Sequence, residues 1–312
     1  MNDSVKLKLI SKVAQLYYLE NYMQKDIAKK MSISRVAVSR ILSKARKLKL
    51  VEIKINSLKD SFGDLELEIE KKFKLKECVI VSQFESEKNA FIELSKYLSE
   101  ILDRIVKPGD YIGVSWGYSL GIISEYIELK QKNNISVIPI IGSLGVIEEG
   151  INSNVIAKNF AHGFDGVSYL INSPAVLESI EAKKVMENEE SNKRIFELSK
   201  KINLAIVGAS DLGPMSSLHK FSNYNSDDFK YLTSLGVEGV VNLSSIDKNG
   251  NVVPNMVDRR TITLSFDKLR KVKNVILIAV GERKKEVMKA ALKSGIISIL
   301  MTDETTARSI NA

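Results

Sequence analysis

The sequence predicts an α/β protein in which a short helical domain precedes a larger domain built on a parallel sheet. From residue 78 onward, short and nearly continuous apolar runs alternate with segments of helical periodicity, as in a sheet that helices cover on both faces. Before that point the apolar residues recur mainly at helical spacing. With 312 residues, the chain is long enough for two domains that each bury a core.

Three helices are predicted in the first domain. Residues 5–19 place their apolar side chains on one helical face, and a second helix spans Gln24–Lys30. Ser34 is a good N-cap for a third helix, which runs from Arg35 to about Lys49. Residues 51–55 then alternate like a strand.

We assign residues 1–56 to this helical domain, 57–76 to a linking helix and 77–312 to the α/β domain. The stretch 239–266 carries an Asn249-Gly250 turn between strand-like runs, which predicts a small hairpin inserted in the α/β domain. The strands predicted for the parallel sheet lie at 78–82, 111–115, 136–142, 167–172, 204–210, 275–281 and 296–303.

The excess positive charge of the chain is confined to its first domain. Residues 1–56 hold 13 Lys and Arg against 4 Asp and Glu, a balance of +9. The remaining 256 residues hold 33 against 34, a balance of −1. Basic charge concentrated in one small domain indicates a polyanionic partner such as nucleic acid. A membrane surface is the other candidate, but no helix pairs a basic face with Trp or Phe anchors.

Several protein classes are excluded by composition. No apolar run approaches the roughly 20 residues that span a bilayer, and residues 1–6 lack the layout of a signal peptide. The single cysteine, Cys78, excludes an internal disulfide and a cysteine-based zinc site. Its apolar setting predicts a buried structural thiol. We therefore expect a cytoplasmic protein with no metal and no cofactor.

The segment 24–41 fits a helix-turn-helix unit. Ala28 is small enough for two short helices to cross closely, and Ser32 stands at the turn, where many such units have glycine. A helix in the major groove offers its outward N-terminal residues to base edges, while flanking residues bind phosphate. The alternative is a basic three-helix module that binds another protein. The predicted contacts with double-stranded DNA are Gln24, Ser34, Arg35, Val36, Ser39, Arg40 and Lys44.

Four motifs spread over both domains carry a resemblance to a known family. They are Ile33-Ser34-Arg35-x-x-Val38-Ser39-Arg40, Gly113-Val114-Ser115-Trp116-Gly117, Asp267-Lys268-Leu269-Arg270 and Leu300-Met301-Thr302-Asp303-Glu304. With them the chain resembles the sorbitol-operon regulator (SorC) family of bacterial sugar-responsive transcription regulators over nearly its whole length. The resemblance implies a second domain similar to sugar-phosphate isomerases, a phosphorylated sugar or close metabolite as effector, and a homodimer or homotetramer. It also implies that the effector changes the affinity for operator DNA, and we expect a repressor.

The strand 111–115 runs through a Gly/Ser turn directly into a helix. Such a turn aims backbone N–H groups at one point, which suits a phosphate, and open parallel sheets bind ligands beyond the carboxyl ends of their strands. We therefore expect Ser115, Gly117, Tyr118 and Ser119 to bind the effector. Tyr118 departs from the family, which usually has small hydroxyl residues after the glycine. The alternative is an ordinary strand-to-helix turn.

A second phosphate candidate follows the strand 275–281. Gly281 opens a helix there, and Lys284 would add a full charge to the oriented amides. The alternative for Lys284 is a solvated lysine in a basic run. Val240 stands where related proteins often have an acidic residue, and Glu238 is the nearest substitute. The weaker candidates at strand ends and helix starts are Gly142, Asn154, Gly208 and Glu238.

The competing interpretation is an enzyme on the same fold. A sugar-phosphate isomerase or deaminase needs a base near the sugar carbons. The chain has only two histidines, His162 at a predicted helix end and His219 in a predicted surface loop, and no paired acids stand out. We therefore expect a regulator without catalytic residues.

Overall fold

The chain divides into two compact units, Met1–Lys59 and Asp60–Ala312. The computed structural model describes residues 3–53, 62–143 and 149–312. The boundaries that the sequence suggests for the helical domain, the linking helix and the α/β domain remain predictions.

The smaller unit is a bundle of three helices, α1 (Asp3–Tyr18), α2 (Gln24–Lys30) and α3 (Arg35–Lys47). The three predicted helices are confirmed. The N-cap is confirmed as well, because the Ser34 hydroxyl accepts a hydrogen bond of 3.1 Å from the Ala37 N–H. The buried side chains of this small core are Val13, Leu16, Ile27, Val38 and Leu42.

The turn between α2 and α3 has the backbone conformation that favours glycine. Ser32 has a φ of +53°, in the left-handed region. The Ile33 N–H bonds to the Ala28 carbonyl at 3.0 Å, and the Ser32 N–H bonds to the Lys29 carbonyl at 3.3 Å. This pattern of hydrogen bonds closes the end of α2 and offsets part of the backbone cost of serine at that position.

The strand predicted over residues 51–55 is wrong for the residues that the structure describes. Val51–Ile53 form no strand, and the other two residues lie outside the described part. Val51 instead packs beside Ile10, Ala14 and Ala45, in the groove between α1 and α3. The packing of Val51 against the two helices thus decides the local structure, although the alternating pattern favours a strand.

The larger unit alternates strands and helices, as predicted. Its elements are α4 (Gly63–Phe73), β1 (Glu77–Val81), α5 (Glu87–Ile105), β2 (Tyr111–Val114), α6 (Tyr118–Tyr126), β3 (Ser136–Pro139), α7 (Ser153–Phe164), β4 (Val167–Ser168), α8 (Ile180–Asn188), α9 (Glu190–Ser199), β5 (Leu204–Val207), β6 (Ala209–Asp211), α10 (Ser217–Phe221), α11 (Ser226–Ser234), β7 (Gly239–Val241), β8 (Ser244–Ile246), α12 (Met256–Arg259), α13 (Phe266–Leu269), β9 (Asn274–Ile278), α14 (Lys285–Lys293), β10 (Ile299–Asp303) and α15 (Glu304–Asn311). Short 3₁₀ turns precede α7 (Glu149–Ile151) and α14 (Glu282–Lys284).

Seven of these strands form one sheet in the order β1-β10-β9-β5-β2-β3-β4, and all its pairs are parallel. The predicted parallel sheet is therefore confirmed. Successive residues of β1 point to opposite faces: Cys78 and Ile80 join the core on one side, and Val79 and Val81 the core on the other. Burial raises the pKa of the Cys78 thiol, in agreement with a structural role.

Helix α4 covers the outer edge of this sheet. Its Glu66 and Glu70 carboxylates accept hydrogen bonds from the backbone N–H groups of Ile80 (2.9 Å) and Cys78 (2.8 Å) in β1. The two glutamates are four residues apart, so they lie on one helical face opposite alternate residues of the strand. Backbone donors at a sheet edge that would otherwise be unpaired are thereby satisfied.

The remaining strands form a small antiparallel sheet in the order β6-β7-β8. The predicted hairpin is confirmed: at the Asn249-Gly250 turn, which Asp247 caps, Ile246 pairs antiparallel with Val252. A second tight turn joins β7 and β8 through Asn242 and Leu243, both with positive φ. None of the helices in the described part of the chain is both long and apolar enough to cross a bilayer.

Candidate functional site

The outer face of α3 is exposed and basic. Arg35, Val36, Ser39, Arg40 and Lys44 are all exposed, at spacings that place them along one side of the helix. Val36 keeps 61% of its surface exposed. In the described part of the smaller unit, neither arginine nor this lysine forms an ion pair. The positive charges of this face are therefore free for an external anion.

Two other predicted DNA contacts lie at helix starts. Gln24 is the first residue of α2 and is half-buried. Ser34 is exposed, but its hydroxyl already accepts the N–H of Ala37 as the cap of α3. Ser34 therefore fixes the beginning of α3. Its hydroxyl proton can still be donated to DNA.

A cleft of about 410 Å³ opens beyond the carboxyl ends of β2 and β5, and we call it the sheet-edge cleft. Its position agrees with the rule that open parallel sheets bind ligands at this edge. The turn after β2, the residues after β5, the β7–β8 turn, α10 and the 3₁₀ turn before α14 all contribute. The lining residues are Ser115, Trp116, Gly117, Tyr118, Ser119, Gly208, Ala209, Ser210, Ser217, Leu218, Val240, Asn242, Leu243 and Lys284.

The turn from β2 into α6 supplies the polar floor of the sheet-edge cleft. Gly117 has a φ of +115°, which side chains rarely adopt, and its N–H donates to the Ile151 carbonyl at 3.1 Å. The N–H groups of Tyr118, Ser119 and Leu120 begin α6 and have no acceptor within the helix. The start of α6 therefore presents backbone donors and the positive end of a helix dipole.

Ser115 is oriented by a residue that the sequence did not single out. It is 2% exposed and donates its hydroxyl proton to the Asn242 side-chain oxygen at 2.7 Å. The Asn242 amide in turn donates to Thr263 Oγ1 at 2.7 Å and to the Leu264 carbonyl at 3.1 Å. Asn242 thus holds three segments together at the cleft. Its only sequence signal was a residue type that tolerates the left-handed conformation of a tight turn.

Lys284 is the only cation among the described residues that line the sheet-edge cleft, and it is buried. Its exposed fraction is 8%, and its ammonium group makes no hydrogen bond or ion pair with any residue that the structure describes. Its ammonium group lies 5.9 Å from the centre of the Phe91 ring. Burial lowers the pKa of Lys284, while the charge of Glu87 acts in the opposite direction. The alternative of a solvated lysine is wrong.

Tyr118 stands at the rim of the cleft. Its side chain is 37% exposed, and its ring meets the Phe91 ring edge-to-face with 6.2 Å between centroids. Because Phe91 also faces Lys284, the two aromatic rings form a continuous wall next to the buried ammonium. A small hydroxyl residue at this position would leave that wall shorter.

Four predicted effector residues do not line the sheet-edge cleft. The N–H of Gly281 donates to Asp303 and Thr306 and so points away from a ligand. The backbone of Gly142 bonds to Ile262 and is packed against residues 174–175.

The other two are engaged elsewhere in the fold. The Asn154 side chain holds both backbone groups of Ile171, at 3.0 and 3.1 Å. Glu238 is half-buried beside the start of β7, and its N–H bonds to Ile246. Of the weaker candidates only Gly208 lines the cleft, and Val240 contributes an apolar wall there.

The family model described as "Putative sugar-binding domain" matches residues 60–311. The chain is 29% identical to the Sorbitol operon regulator of Klebsiella pneumoniae over 310 residues, which cover 98% of each protein. It is 28% identical to the Deoxyribonucleoside regulator of Bacillus subtilis (strain 168) over 312 residues, 99% of this chain and 98% of that one. The structure matches full-length SorC from Klebsiella pneumoniae with a TM-score of 0.76 at 28% identity, covering 100% of both chains.

The family match covers the whole described part of the larger unit except its last residue. The similarity to the two named regulators also includes the smaller unit with its exposed basic helix. The chain therefore belongs to the sugar-binding domain family and is a SorC-family transcription regulator.

Proposed function

We propose that the chain is a repressor whose affinity for operator DNA is set by a phosphorylated sugar, or a related metabolite, bound in the sheet-edge cleft. The observation that carries this proposal is the buried ammonium group of Lys284, which has no partner among the described residues. A buried charge without a counter-ion is costly, so proteins pair such charges. A phosphate group in the cleft supplies that counter-ion.

The surroundings of Lys284 favour a phosphate over a smaller anion. The start of α6 offers backbone donors at the same cleft, as phosphate sites commonly do. The hydroxyls of Ser119 and Ser217 make no hydrogen bond to a described residue and line the cleft. They are available for the remaining phosphate or sugar oxygens.

The far wall of the cleft is apolar. Leu218, Val240 and Leu243 are each at most 2% exposed, and they offer no hydrogen bond to a ligand. Because this wall offers few polar contacts, it favours a small phosphorylated effector over a long one.

The smaller unit supplies the DNA contacts in this proposal. Arg35 and Arg40 lie on the exposed face of α3, where they can reach guanine edges or phosphates. A homodimer or homotetramer would place two such helices on a two-fold symmetric operator, with half-sites separated by about 34 Å or a multiple of it. A protein that binds operator DNA must share a compartment with that DNA, so we propose a cytoplasmic location.

An isomerase or deaminase on the same fold is the second candidate, and the cleft does not favour it. No histidine, aspartate or glutamate is among the described residues that line the cleft. His162 is exposed near the end of α7. His219 is also exposed and lies in α10, stacked on Phe229, so its predicted loop position is wrong. Neither is placed to act as a general base in the cleft, and we propose that the protein is not an enzyme.

Calorimetry and operator binding on the purified protein test the proposal. The probes are glyceraldehyde 3-phosphate, ribose 5-phosphate and glucose 6-phosphate, each with its unphosphorylated counterpart. We expect at least one phosphorylated probe to bind more tightly than its counterpart and to weaken operator binding. Lys284→Ala should weaken that probe by about 1.5–3 kcal/mol, the range for a hydrogen bond to a charged group.

Lys285→Ala is the matched control, because Lys285 is the next residue along the chain but its side chain is 41% exposed and pairs with Glu282. It should bind the effector as the wild type does. Equal affinity for phosphorylated and free probes in the wild type would exclude the phosphate site. Turnover of any probe would favour the enzyme.

A further inference from the structure

The turn that carries Lys284 is held from behind by a buried carboxylate. Asp303, the last residue of β10, is 6% exposed. Its Oδ1 accepts the Gly281 N–H at 3.1 Å and the Thr306 hydroxyl at 2.5 Å. The Gly281 N–H also approaches the Thr306 Oγ1 at 3.0 Å, so the three groups close a compact hydrogen-bonded cluster. We call these residues the Asp303 cluster.

The backbone of the turn depends on this cluster. Gly281 has a φ of +103°, and a Cβ at that position would lie 2.6 Å from Glu87 Oε1. Its carbonyl accepts the Lys284 N–H at 2.9 Å. The N–H of Gly281 is therefore anchored by Asp303 and Thr306, and its carbonyl directly sets the position of the Lys284 backbone.

We propose that Asp303 and Thr306 together are the positioning residues of the effector site: they fix the turn that presents the Lys284 ammonium to the sheet-edge cleft. The proposal rests on the proposed function of Lys284 and goes beyond it. Asp303 and Thr306 do not line the cleft, so they contribute without touching a ligand. Site geometry of this kind needs support from residues whose own conformation is fixed. Thr306 is fully buried, and its hydroxyl and backbone N–H both bond to Asp303.

The Asp303 cluster also joins the effector turn to α15. Asp303 caps the beginning of α15, because its Oδ2 accepts the Thr306 N–H at 3.3 Å. Further along this helix, the Ser309 hydroxyl donates to Glu282 Oε1 in the effector turn at 3.2 Å. The first and second turns of α15 are thus both tied to the segment that carries Lys284.

The other end of α15 is tied to α4. Lys72 Nζ donates to the carbonyls of Ile310 (3.4 Å) and Asn311 (2.5 Å). The Asn311 amide donates to Glu68 Oε2 at 2.8 Å. Helix α15 therefore connects the turn of the effector lysine to the first helix of the larger unit. A displacement of that turn on effector binding would reach α4 through a contiguous set of hydrogen bonds.

Thr306→Val tests the positioning role, because it removes the hydroxyl at nearly constant shape. Inorganic phosphate is the probe, and the readout is the shift of thermal unfolding with phosphate concentration. We expect the variant to bind phosphate at least about tenfold more weakly, since a displaced Lys284 ammonium group is no longer well placed to contact the phosphate. Thr306→Ser, which keeps the hydroxyl, should restore binding to within about twofold.

These outcomes separate the two proposals. If the wild type responds to phosphate and Lys284→Ala does not, the effector site stands. Wild-type affinity in Thr306→Val, or an equal loss in the valine and serine variants, would then overturn the positioning role alone. If the wild type and Lys284→Ala respond equally, the effector site itself fails and the positioning role falls with it. A cooperative thermal transition without phosphate confirms that each variant is folded.

Lys72→Ala tests the connection through α15. The effector affinity should stay within about twofold of the wild type, because Lys72 is remote from the cleft lining. The factor by which a bound sugar phosphate changes operator affinity should shrink by about 2-fold to 30-fold, the effect of mutations along a coupling network. Lys71→Ala is the control, since Lys71 is exposed like Lys72 but its side chain makes no hydrogen bond to a described residue. An unchanged factor in Lys72→Ala would exclude this route.

Discussion

The two units of the chain present positive charge in opposite ways. In the smaller unit, several cations stand exposed on one face of α3, and none of the described ones forms an ion pair. In the larger unit, the sheet-edge cleft has one cation among its described residues, Lys284, which is 8% exposed. Exposed charges are largely screened by water and salt, whereas a buried charge is screened much less.

This difference corresponds to the two kinds of anion that we propose. DNA is a long polyanion, and many exposed cations release its counter-ions at once. A small phosphorylated effector offers one charged group, so one buried cation in a shaped cleft can discriminate it from uncharged sugars. The two units therefore predict different responses to the loss of one positive charge, to salt and to pH.

The largest expected effect concerns α3. Exchanging Arg35 or Arg40 for Ala should weaken operator binding by about 1–3 kcal/mol if the side chain reads a base, and relax the preference at that base. The measurement is fluorescence anisotropy with operator variants over a salt series. The double variant Lys8→Ala/Lys12→Ala loses the same charge on exposed positions of α1 and serves as control. It should keep the base preference, and unchanged operator binding by the double arginine variant would remove α3 from the interface.

The same contrast explains how much could be predicted from the sequence. On α3, helical periodicity separates buried from exposed residues, and an exposed side chain needs no knowledge of distant segments. The helix bounds, the Ser34 cap and the exposed basic face were therefore predictable. The turn at Ser32 was predicted as well, because turn geometry is a local property, and the structure adds its positive φ.

The sheet-edge cleft combines segments that are far apart in sequence. Ser115 and Asn242 are separated by 127 positions, and Gly281 and Thr306 by 25. Sequence patterns predicted which turns lie at this edge, but not which of their polar groups are used within the fold. The Gly281 N–H is satisfied by Asp303 and Thr306, and only the three-dimensional structure reveals that this amide is not available to a ligand.

An intermediate effect is expected from pH. Burial lowers the pKa of Lys284, so in the free protein it loses its proton below the ordinary lysine range near 10.4. Above that lowered pKa, effector affinity should fall by up to about tenfold per pH unit, because binding must first restore the charge. On the acid side, affinity should fall below about pH 6, where a phosphate monoester gains its second proton.

Calorimetry across this pH range, with the phosphorylated probe that binds the wild type, measures both the alkaline and the acid fall in affinity, which we call the alkaline limb and the acid limb. In Lys284→Ala the alkaline limb should disappear, while the acid limb, which belongs to the phosphate, should remain. An alkaline limb of the same size in the variant would mean that another group titrates. Operator binding without effector should lack both features if they arise in the cleft.

The smallest expected effect is on stability, and it has the opposite sign from the effect on binding. The native pKa of Lys284 is lowered relative to the unfolded chain, so the unfolded state takes up this proton more readily and the native state is penalised below that pKa. Lys284→Met keeps a long apolar side chain beside Phe91 and removes the buried charge. At neutral pH it should raise the free energy of unfolding without effector by about 1 kcal/mol, the size of gain found when a functional site is relieved of strain.

The difference between Lys284→Met and the wild type should shrink as the pH rises from the native pKa of Lys284 towards 10.4, where the unfolded lysine also loses its proton. Thermal or urea unfolding of both proteins at neutral and alkaline pH provides the measurement. With a saturating sugar phosphate the order should reverse, because only the wild type gains stability from the ligand. Should the methionine variant instead be less stable at neutral pH, the ammonium would already have a stabilising partner in the free protein, and the cleft would need no anion.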